Sequence, residues 1–247
     1  MPTYPHLPWQ ETLNWDPDAQ VLAQFERLHQ QLLLGNQKQN LTRLTDVVDF
    51  WEKHLWDSLR GLHSGLPLPV CQEHSHSLID LGTGAGFPGI PIAVVLPRWQ
   101  ITLADATKRK IQFVQEALGV LGLTQVQTLA ERAEWIGRQP QYRQQFDWAL
   151  LRAVGPATVC AEYALPCLKL GGHAILYRGH WSDQEAKALD KALAILGGAV
   201  VRVDAFQTPL TGAVRHCLVI AKTQPTPPTF PRAIGIPAKE PLGSAPP

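Results

Sequence analysis

The sequence carries almost no net charge: 22 lysines and arginines stand against 21 acids, leaving +1 with the histidines neutral. The basic excess that usually marks a nucleic-acid binder is missing, so any positive surface for such a partner must be local. Cysteine is scarce. Cys71, Cys160, Cys167 and Cys217 are scattered without C-x-x-C spacing, which argues against a disulfide framework or a zinc centre and reads as core thiols. No apolar run is long enough to span a bilayer. The N-terminus lacks a basic stretch followed by an apolar one, so no signal peptide is expected and the chain reads as cytoplasmic. No internal repeat is present. His74 and His76, in a stretch rich in Gly, Pro, His and Ser, read as exposed loop residues, and no metal is expected.

What is there centres on Leu78-Ile79-Asp80-Leu81-Gly82-Thr83-Gly84-Ala85-Gly86-Phe87-Pro88-Gly89-Ile90-Pro91. A short apolar run ends in an acid, passes four glycines within eight residues and opens onto Ile92-Ala93-Val94-Val95-Leu96. That pattern is strand, tight loop, helix. Glycine reaches positive φ without penalty and, lacking Cβ, lets a ligand lie against the backbone, while the helix start offers unpaired N–H groups. A dinucleotide loop needs G-x-G-x-x-G. From Gly82 the first two glycines fit, but Phe87 occupies the third position. The acid two residues before Gly82 would repel a diphosphate and suits a ligand bearing an ammonium group, such as S-adenosylmethionine.

Asp105 closes the next strand, Gln100-Ile101-Thr102-Leu103-Ala104-Asp105. A carboxylate there can accept hydrogen bonds from both hydroxyls of a ribose, which adenosylmethionine and NAD share. Alone, it reads as a helix N-cap for Thr107 to Leu121; coupled to the glycine loop, ligand binding is the better reading.

In chain order, residues 1–17 are punctuated by proline and read as a flexible arm. Residues 18–60 read as a helical cap. Its first helix runs from Asp18, with Val21, Leu22, Phe25, Leu28, Leu32 and Leu33 at helical spacing, and ends near Gly35-Asn36. A second begins at Thr45 or Asp46 and buries Val48, Trp51, Leu55, Trp56 and Leu59. His54 and Asp57, at i and i+3, share a helix face and read as a polar contact within it. Residues 61–76 read as a linker. In 77–223 strands are expected at 78–81, 100–105, 125–130, 147–153, 172–178, 199–206 and 214–221, with helices starting near Gly89, Thr107, Ala133, Pro156 and Ser182. This is an α/β pattern, a mostly parallel sheet covered on both faces, which takes its ligands outside the carboxyl ends of its strands. Residues 224–247 are dense in proline with little to bury, and read as an extended tail carrying Phe230-Pro231-Arg232 and Pro237-Ala238-Lys239.

From about Gln20 to Leu242 the chain resembles the RsmG (GidB) family of ribosomal RNA small-subunit methyltransferases. The pieces that carry the resemblance are Asn40-Leu41-Thr42, His54-Leu55-Trp56-Asp57-Ser58, the glycine loop from Asp80 to Pro91, Leu151-Arg152-Ala153 and Arg215-His216. It departs from the family at Ala85, often proline there, and at Arg178-Gly179, where lysine often precedes the glycine. The resemblance implies a Rossmann-like class I methyltransferase fold with a seven-stranded sheet. It also implies methyl transfer from S-adenosyl-L-methionine to N7 of a single guanine (conventional position 527) in the 530 loop of 16S ribosomal RNA. By position it assigns Gly82, Gly84 and Phe87 to the cofactor loop, Asp105, Ala106 and Thr107 to the ribose, Ala133 and Glu134 to the adenine. Arg152 falls to the methionine end or the incoming base.

Guanine N7 carries an in-plane lone pair and no proton, so no general base is required; the mechanism expected is positioning, with no catalytic residue identified and Arg152 the one candidate. The partner expected is 16S ribosomal RNA or the small ribosomal subunit, met by a monomer. Arg178, Arg215 and His216 are the foremost RNA-binding candidates, ahead of Arg202, Lys222, Arg232 and Lys239, because phosphate contact is the largest sequence-independent term. The Asn-Pro-Pro-Tyr turn of exocyclic-amine methylases is replaced by Arg152-Ala153-Val154-Gly155-Pro156, and Cys167 after Pro166 reads as a core thiol. Two alternatives stay open: a ribosome-binding protein of this fold without activity, and a nicotinamide-dependent oxidoreductase, which Phe87 disfavours.

Overall fold

In the computed structural model, residues 4–243 are described; the expectations for residues 1–3 and 244–247 lie outside the described residues. Ahead of the sheet come α1 (Trp9–Leu13), α2 (Ala19–Lys38), α3 (Val47–Asp49), a π-helical segment (Phe50–Trp56), α4 (Asp57–Gly65) and α5 (Leu68–Glu73). Strand and helix then alternate: β1 (Ser77–Leu81), α6 (Gly89–Val95), β2 (Gln100–Ala104), α7 (Lys108–Leu121), β3 (Val126–Leu129), α8 (Ala133–Ile136) and β4 (Phe146–Arg152). They continue through α9 (Ala157–Ala164), β5 (Leu168–Arg178), α10 (Asp183–Leu196), β6 (Gly198–Gln207), β7 (Val214–Lys222) and α11 (Ile236–Lys239). The seven strands form one Rossmann-like sheet in the order β3-β2-β1-β4-β5-β7-β6. β3 to β5 are parallel, and β7 runs antiparallel between β5 and β6. The order reverses between β1 and β4, which opens a crevice at their carboxyl ends.

Because successive side chains of a strand point to opposite faces, the sheet has two cores. Leu78, Ile101, Trp148 and Ile175 face α2, α4, α6 and α7. Ile79, Leu81, Ala149, Leu151 and Leu176 face α9 and α10. The N-terminal helices share the first of these cores: α4 lies on β5, β7 and α6, and Tyr177 Oη donates to Ser58 O at 2.8 Å. No helix among the described residues is long and apolar enough to cross a membrane. All four cysteines are free and buried.

Several segments are more ordered than their composition implies. The N-terminal arm buries Leu7, Trp9 and Leu13, and Trp56 Nε1 donates to Thr12 Oγ1 at 2.9 Å. The expected linker continues α4 to Gly65 and forms α5, where Leu68 and Cys71 are fully buried and Trp99 Nε1 donates to Cys71 O at 3.0 Å. α2 runs past Gly35-Asn36 to Lys38. Asn36 instead hooks the following loop, accepting from Leu41 N at 2.8 Å and donating to Thr42 O at 2.9 Å. The second cap helix presents no simple stripe: its π-helical turn buries Phe50, Trp51, Glu52, His54, Leu55 and Trp56 together, while Val48 is exposed. Glu52 explains part of this, since it accepts from Thr211 N at 2.9 Å and so pins the β6–β7 turn. β5 begins at Leu168 rather than near residue 172, which leaves Cys167 between helix and strand.

The proline-dense tail is a strap. Arg143 Nη1 donates to Phe230 O at 2.7 Å and its Nη2 to Thr226 O at 2.9 Å, while Arg138 Nε donates to Pro231 O at 2.8 Å. Arginines elsewhere in the chain hold its backbone carbonyls, so it needs few apolar side chains of its own.

Candidate active site

The glycine loop is closed by Asp80 at the carboxyl end of β1. Asp80 Oδ2 accepts from Thr83 Oγ1 at 2.7 Å and from Gly89 N at 2.9 Å, one of the unpaired donors at the start of α6. Oδ1 has no partner, and complete burial pushes the carboxyl pKa up to about 6. The acid expected from the sequence to face a ligand's ammonium group is folded beneath the loop instead. Folded Asp80 binds its proton more tightly than an unfolded carboxyl near 3.8. Its contribution to stability is therefore greatest below pH 4 and falls, by on the order of 3 kcal/mol, as pH rises to about 6. Asp80→Asn, neutral throughout, is expected to lose that decline. Urea melts between pH 4 and 7 check it: the unfolding free energy of the variant should rise relative to the unmodified protein, and a flat difference contradicts the assignment.

Gly82 and Gly84 sit at φ of 80° and 60°. A Cβ on Gly82 would also strike Val154 Cγ2 at 2.6 Å, whereas at Gly84 nothing but Gly82 O lies within 4.0 Å. The first glycine thus serves packing as well as conformation, and the second conformation alone. Gly84 N donates to Asp105 Oδ2 at 3.0 Å, and Thr107 N to Asp105 Oδ1 at 2.8 Å, so one carboxylate ties the loop after β1 to the turn after β2. Lys110 Nζ lies 3.7 Å from Oδ2.

A cavity of about 310 Å³ opens here, lined by Gly82, Asp105, Ala106, Ala133 and Glu134 together with Ala153, Val154, Tyr163 and Ala238. That volume lies in the range of small-ligand pockets, about 300–1,000 Å³. A larger groove, about 570 Å³, lies between the start of α2 and the end of α6, with Trp15, Leu96 and Leu123 on its walls. It holds none of these residues and lies at the amino ends of β1, β2 and β3, whereas open sheets of this kind take their ligands at the carboxyl ends.

Glu134 enters the cavity wall with one carboxylate oxygen, Oε1, already committed. It accepts from Gly235 N at 2.9 Å, Tyr163 Oη at 3.2 Å and Arg132 Nη2 at 3.3 Å. Burial raises its pKa, but the backbone N–H groups of Gly235 and of Glu134 itself, with Arg132, outweigh burial and leave it below the usual range.

Phe87 and Arg152 stand on another side of the loop. Phe87 turns into the N-terminal helices and stacks on His54, with centroids 4.2 Å apart and planes at 17°. Arg152, at the end of β4, has its Cζ 5.8 Å from that ring centre. Its Nη1 donates to Lys53 O at 2.8 Å, inside the π-helical turn, and lies 3.7 Å from Asp57 Oδ2; its Nη2 is 3.2 Å from His54 Nδ1. A guanidinium has only donors, so His54 Nδ1 must accept. The ring is then neutral with its proton on Nε2, which donates to Thr42 Oγ1 at 3.2 Å. Burial first, then the Arg152 charge, lowers the His54 pKa to about 3. Asp57 also meets Arg215 Nε at 3.5 Å.

His54 and Asp57 are therefore not an intrahelical pair. They converge on an arginine almost a hundred positions later, and Thr42 joins them. Sequence reasoning gave these residues no role. The available signal was two polar motifs, Asn40-Leu41-Thr42 and His54 to Ser58, that a purely structural cap does not need. It also missed Ala153, whose φ of 57° is unusual for a non-glycine residue and turns the chain between the cavity and the Arg152 cluster.

The basic residues expected at RNA are placed unevenly. Arg178 Nη1 donates to Gly155 O at 2.7 Å and Nη2 lies 3.1 Å from Glu185 Oε1. Its charge is spent on the start of α10, and it braces the turn after β4. Lys222 is buried, donating to Leu165 O and Leu168 O, both at 2.8 Å, and Arg232 is held by Glu162. Neither reaches solvent freely, because each satisfies acceptors that would otherwise be buried unpaired. His216 Nδ1 lies 3.0 Å from Gly179 O, and Arg215 stays partly exposed beside Asp57. Among the described residues no group of three or more His, Cys, Asp or Glu is arranged to hold a metal.

The GidB family, described as rRNA small subunit methyltransferase G, matches residues 21–217. The chain is 52% identical over 234 residues to the ribosomal RNA small subunit methyltransferase G of Trichormus variabilis, covering 95% of this chain and 96% of that protein. To the protein of the same name from Synechococcus elongatus it is 52% identical over 235 residues, again 95% and 96% of the two chains. Among solved structures, the 16S rRNA (adenine(1408)-N(1))-methyltransferase from Catenulisporales acidiphilia aligns at 14% identity and TM-score 0.52 over 64% of this chain and 93% of that one. That likeness is one of fold.

Proposed function

Because the chain belongs to the ribosomal RNA small subunit methyltransferase G family, we propose that it transfers the methyl group of S-adenosylmethionine to N7 of a guanine in the 530 loop of 16S ribosomal RNA. The observation that carries this reading is the cavity at the β1/β4 crevice, where Gly82 and Asp105 meet one turn away from Arg152. S-adenosylmethionine, when bound, supplies a methyl group on a positively charged sulfur.

The chain's residues fit that donor. An ionised carboxylate offers about four acceptor sites, and Asp105 spends one on Gly84 N and one on Thr107 N. Two remain for two ribose hydroxyls. Ala106 and Ala133 leave an unobstructed wall for the adenine, and Glu134 fixes that wall through Oε1 while its Oε2 stays available to the base. No residue has to remove a proton from guanine N7. What remains for the chain is alignment, worth about 7 to 11 kcal/mol in favourable cases. The turn Ala153-Val154 performs it, held on one side by Val154 against Gly82 and braced on the other by Arg178 on Gly155 O. The RNA partner, free or in the small subunit, meets a cytoplasmic monomer on the face that carries Arg152, Arg215 and His216.

Mapping N7-methylguanine in small-subunit RNA from cells lacking and regaining the gene tests the assignment. The modification in the 530 loop should vanish and return; an unchanged level overturns the substrate. Restored binding of the subunit without methylation would favour the inactive binding protein, and tight NAD binding by the purified chain would favour the oxidoreductase.

A further inference from the structure

The strap that follows β7 is anchored beyond what a surface tail requires. Arg232 grips the fully buried Glu162: Nε lies 3.0 Å from Oε1, Nη2 lies 2.7 Å from Oε2, and the Arg232 backbone N–H donates to Oε1 at 2.8 Å. Bidentate charge-assisted pairs fix direction as well as distance, and a buried carboxylate stripped of its partner is strongly unfavourable. The chain then turns at Gly235, at φ 84°, and the Gly235 N–H donates to Glu134 Oε1 at 2.9 Å. α11 follows and sets Ala238 on the wall of the 310 Å³ cavity with Ala133 and Tyr163.

We infer that residues 232–239 form the outer wall of the adenosine-binding cavity, with Ala238 setting its width and the Gly235–Glu134 hydrogen bond coupling donor binding to the seating of the strap. The inference rests on the donor reading above and extends it to a segment outside the sheet. Three features support it together. The same Glu134 both lines the cavity and receives the strap. The residue facing the cavity from α11 has the smallest side chain after glycine. The anchor at Glu162 sits on α9, a neighbour of the cavity through Tyr163 on the same helix. Lifting the strap would strip a donor from a carboxylate that is 2% exposed and open that end of the cavity to water.

The test uses the full chain and S-adenosylhomocysteine, the demethylated donor, as the probe. Ala238 is exposed at the rim, so Ala238→Trp can fill the mouth without entering a core, and an unchanged melting temperature verifies its fold. Calorimetric affinity should fall by about tenfold or more, that is about 1.4 kcal/mol, while Ala238→Ser stays close to the unmodified protein. In parallel, trypsin cleavage after Arg232 and Lys239 in the unmodified chain should slow on saturation with the probe. Affinity retained by a folded Ala238→Trp, or cleavage indifferent to the probe, overturns the inference. Absence of binding by the unmodified chain would instead strike the donor reading first and this wall with it.

Discussion

Asp105→Ala is expected to weaken S-adenosylhomocysteine and S-adenosylmethionine binding by roughly 100- to 1,000-fold. The estimate follows from two charge-assisted hydrogen bonds to ribose, each about 1.5 to 3 kcal/mol, partly offset because water can enter the vacated space. The substitution also frees Gly84 N and Thr107 N, so the loop after β1 loses its tie to the turn after β2. Asp105→Asn separates the two effects. It keeps one acceptor, enough to hold one backbone N–H, and should fall between the alanine variant and the unmodified protein. Calorimetric titration measures both. Binding of the alanine variant within a factor of about three would remove Asp105 from the cofactor site and leave it as a loop tie.

Substituting Arg152 should have the largest effect on turnover with little effect on cofactor affinity. Arg152→Met leaves His54 Nδ1 without a donor and Asp57 buried with only the Arg215 contact at 3.5 Å. Breaking such a buried pair costs about 3 kcal/mol or more, which for a chain of this size lowers the melting temperature by roughly 6 to 12 °C. Arg152 does not line the cavity, so S-adenosylhomocysteine should still bind within a few-fold. Methyl transfer to small-subunit RNA should fall by about 100-fold or more, the cost of misplacing reactants by about 1 Å. Arg152→Lys preserves the charge but cannot reach Lys53 O, His54 and Asp57 together, and should recover stability only in part. A full loss of cofactor binding in the methionine variant, at a temperature where it stays folded, would show that Arg152 belongs to the methionine end rather than to the RNA side.

The two variants probe different halves of one site, and those halves were unequally legible. The cofactor half is local. Loop, strand end and helix start follow one another within about thirty residues, and each is announced by glycine spacing or by a strand that ends in an acid. Gly82, Asp105 and Ala106 line one cavity, where Ala133 and Glu134, which the family resemblance rather than any spacing points to, join them. The Arg152 half is not local. Its members come from the loop after α2, the π-helical turn, α4 and the ends of β4 and β7, and no periodicity links Thr42, His54, Asp57, Arg152 and Arg215. The i, i+3 spacing of His54 and Asp57 suggested a pair of their own because spacing reports which residues share a helix face, not what lies opposite that face.

By itself the sequence determined the alternation of strand and helix, the end of the sheet at which the cavity opens, and the place of the glycine loop, since all three depend on short-range backbone preferences and on apolar periods of two or 3.6 residues. Tertiary structure alone decided that Asp80 is buried under the loop, that Arg178 and Lys222 meet acceptors of the chain itself, and that the proline-dense tail is held against the domain rather than loose. Each of those outcomes depends on which distant group satisfies a buried charge or a backbone carbonyl. Composition measures the apolar surface a segment can bury; it cannot register Arg138 and Arg143 reaching across to hold carbonyls about ninety residues away.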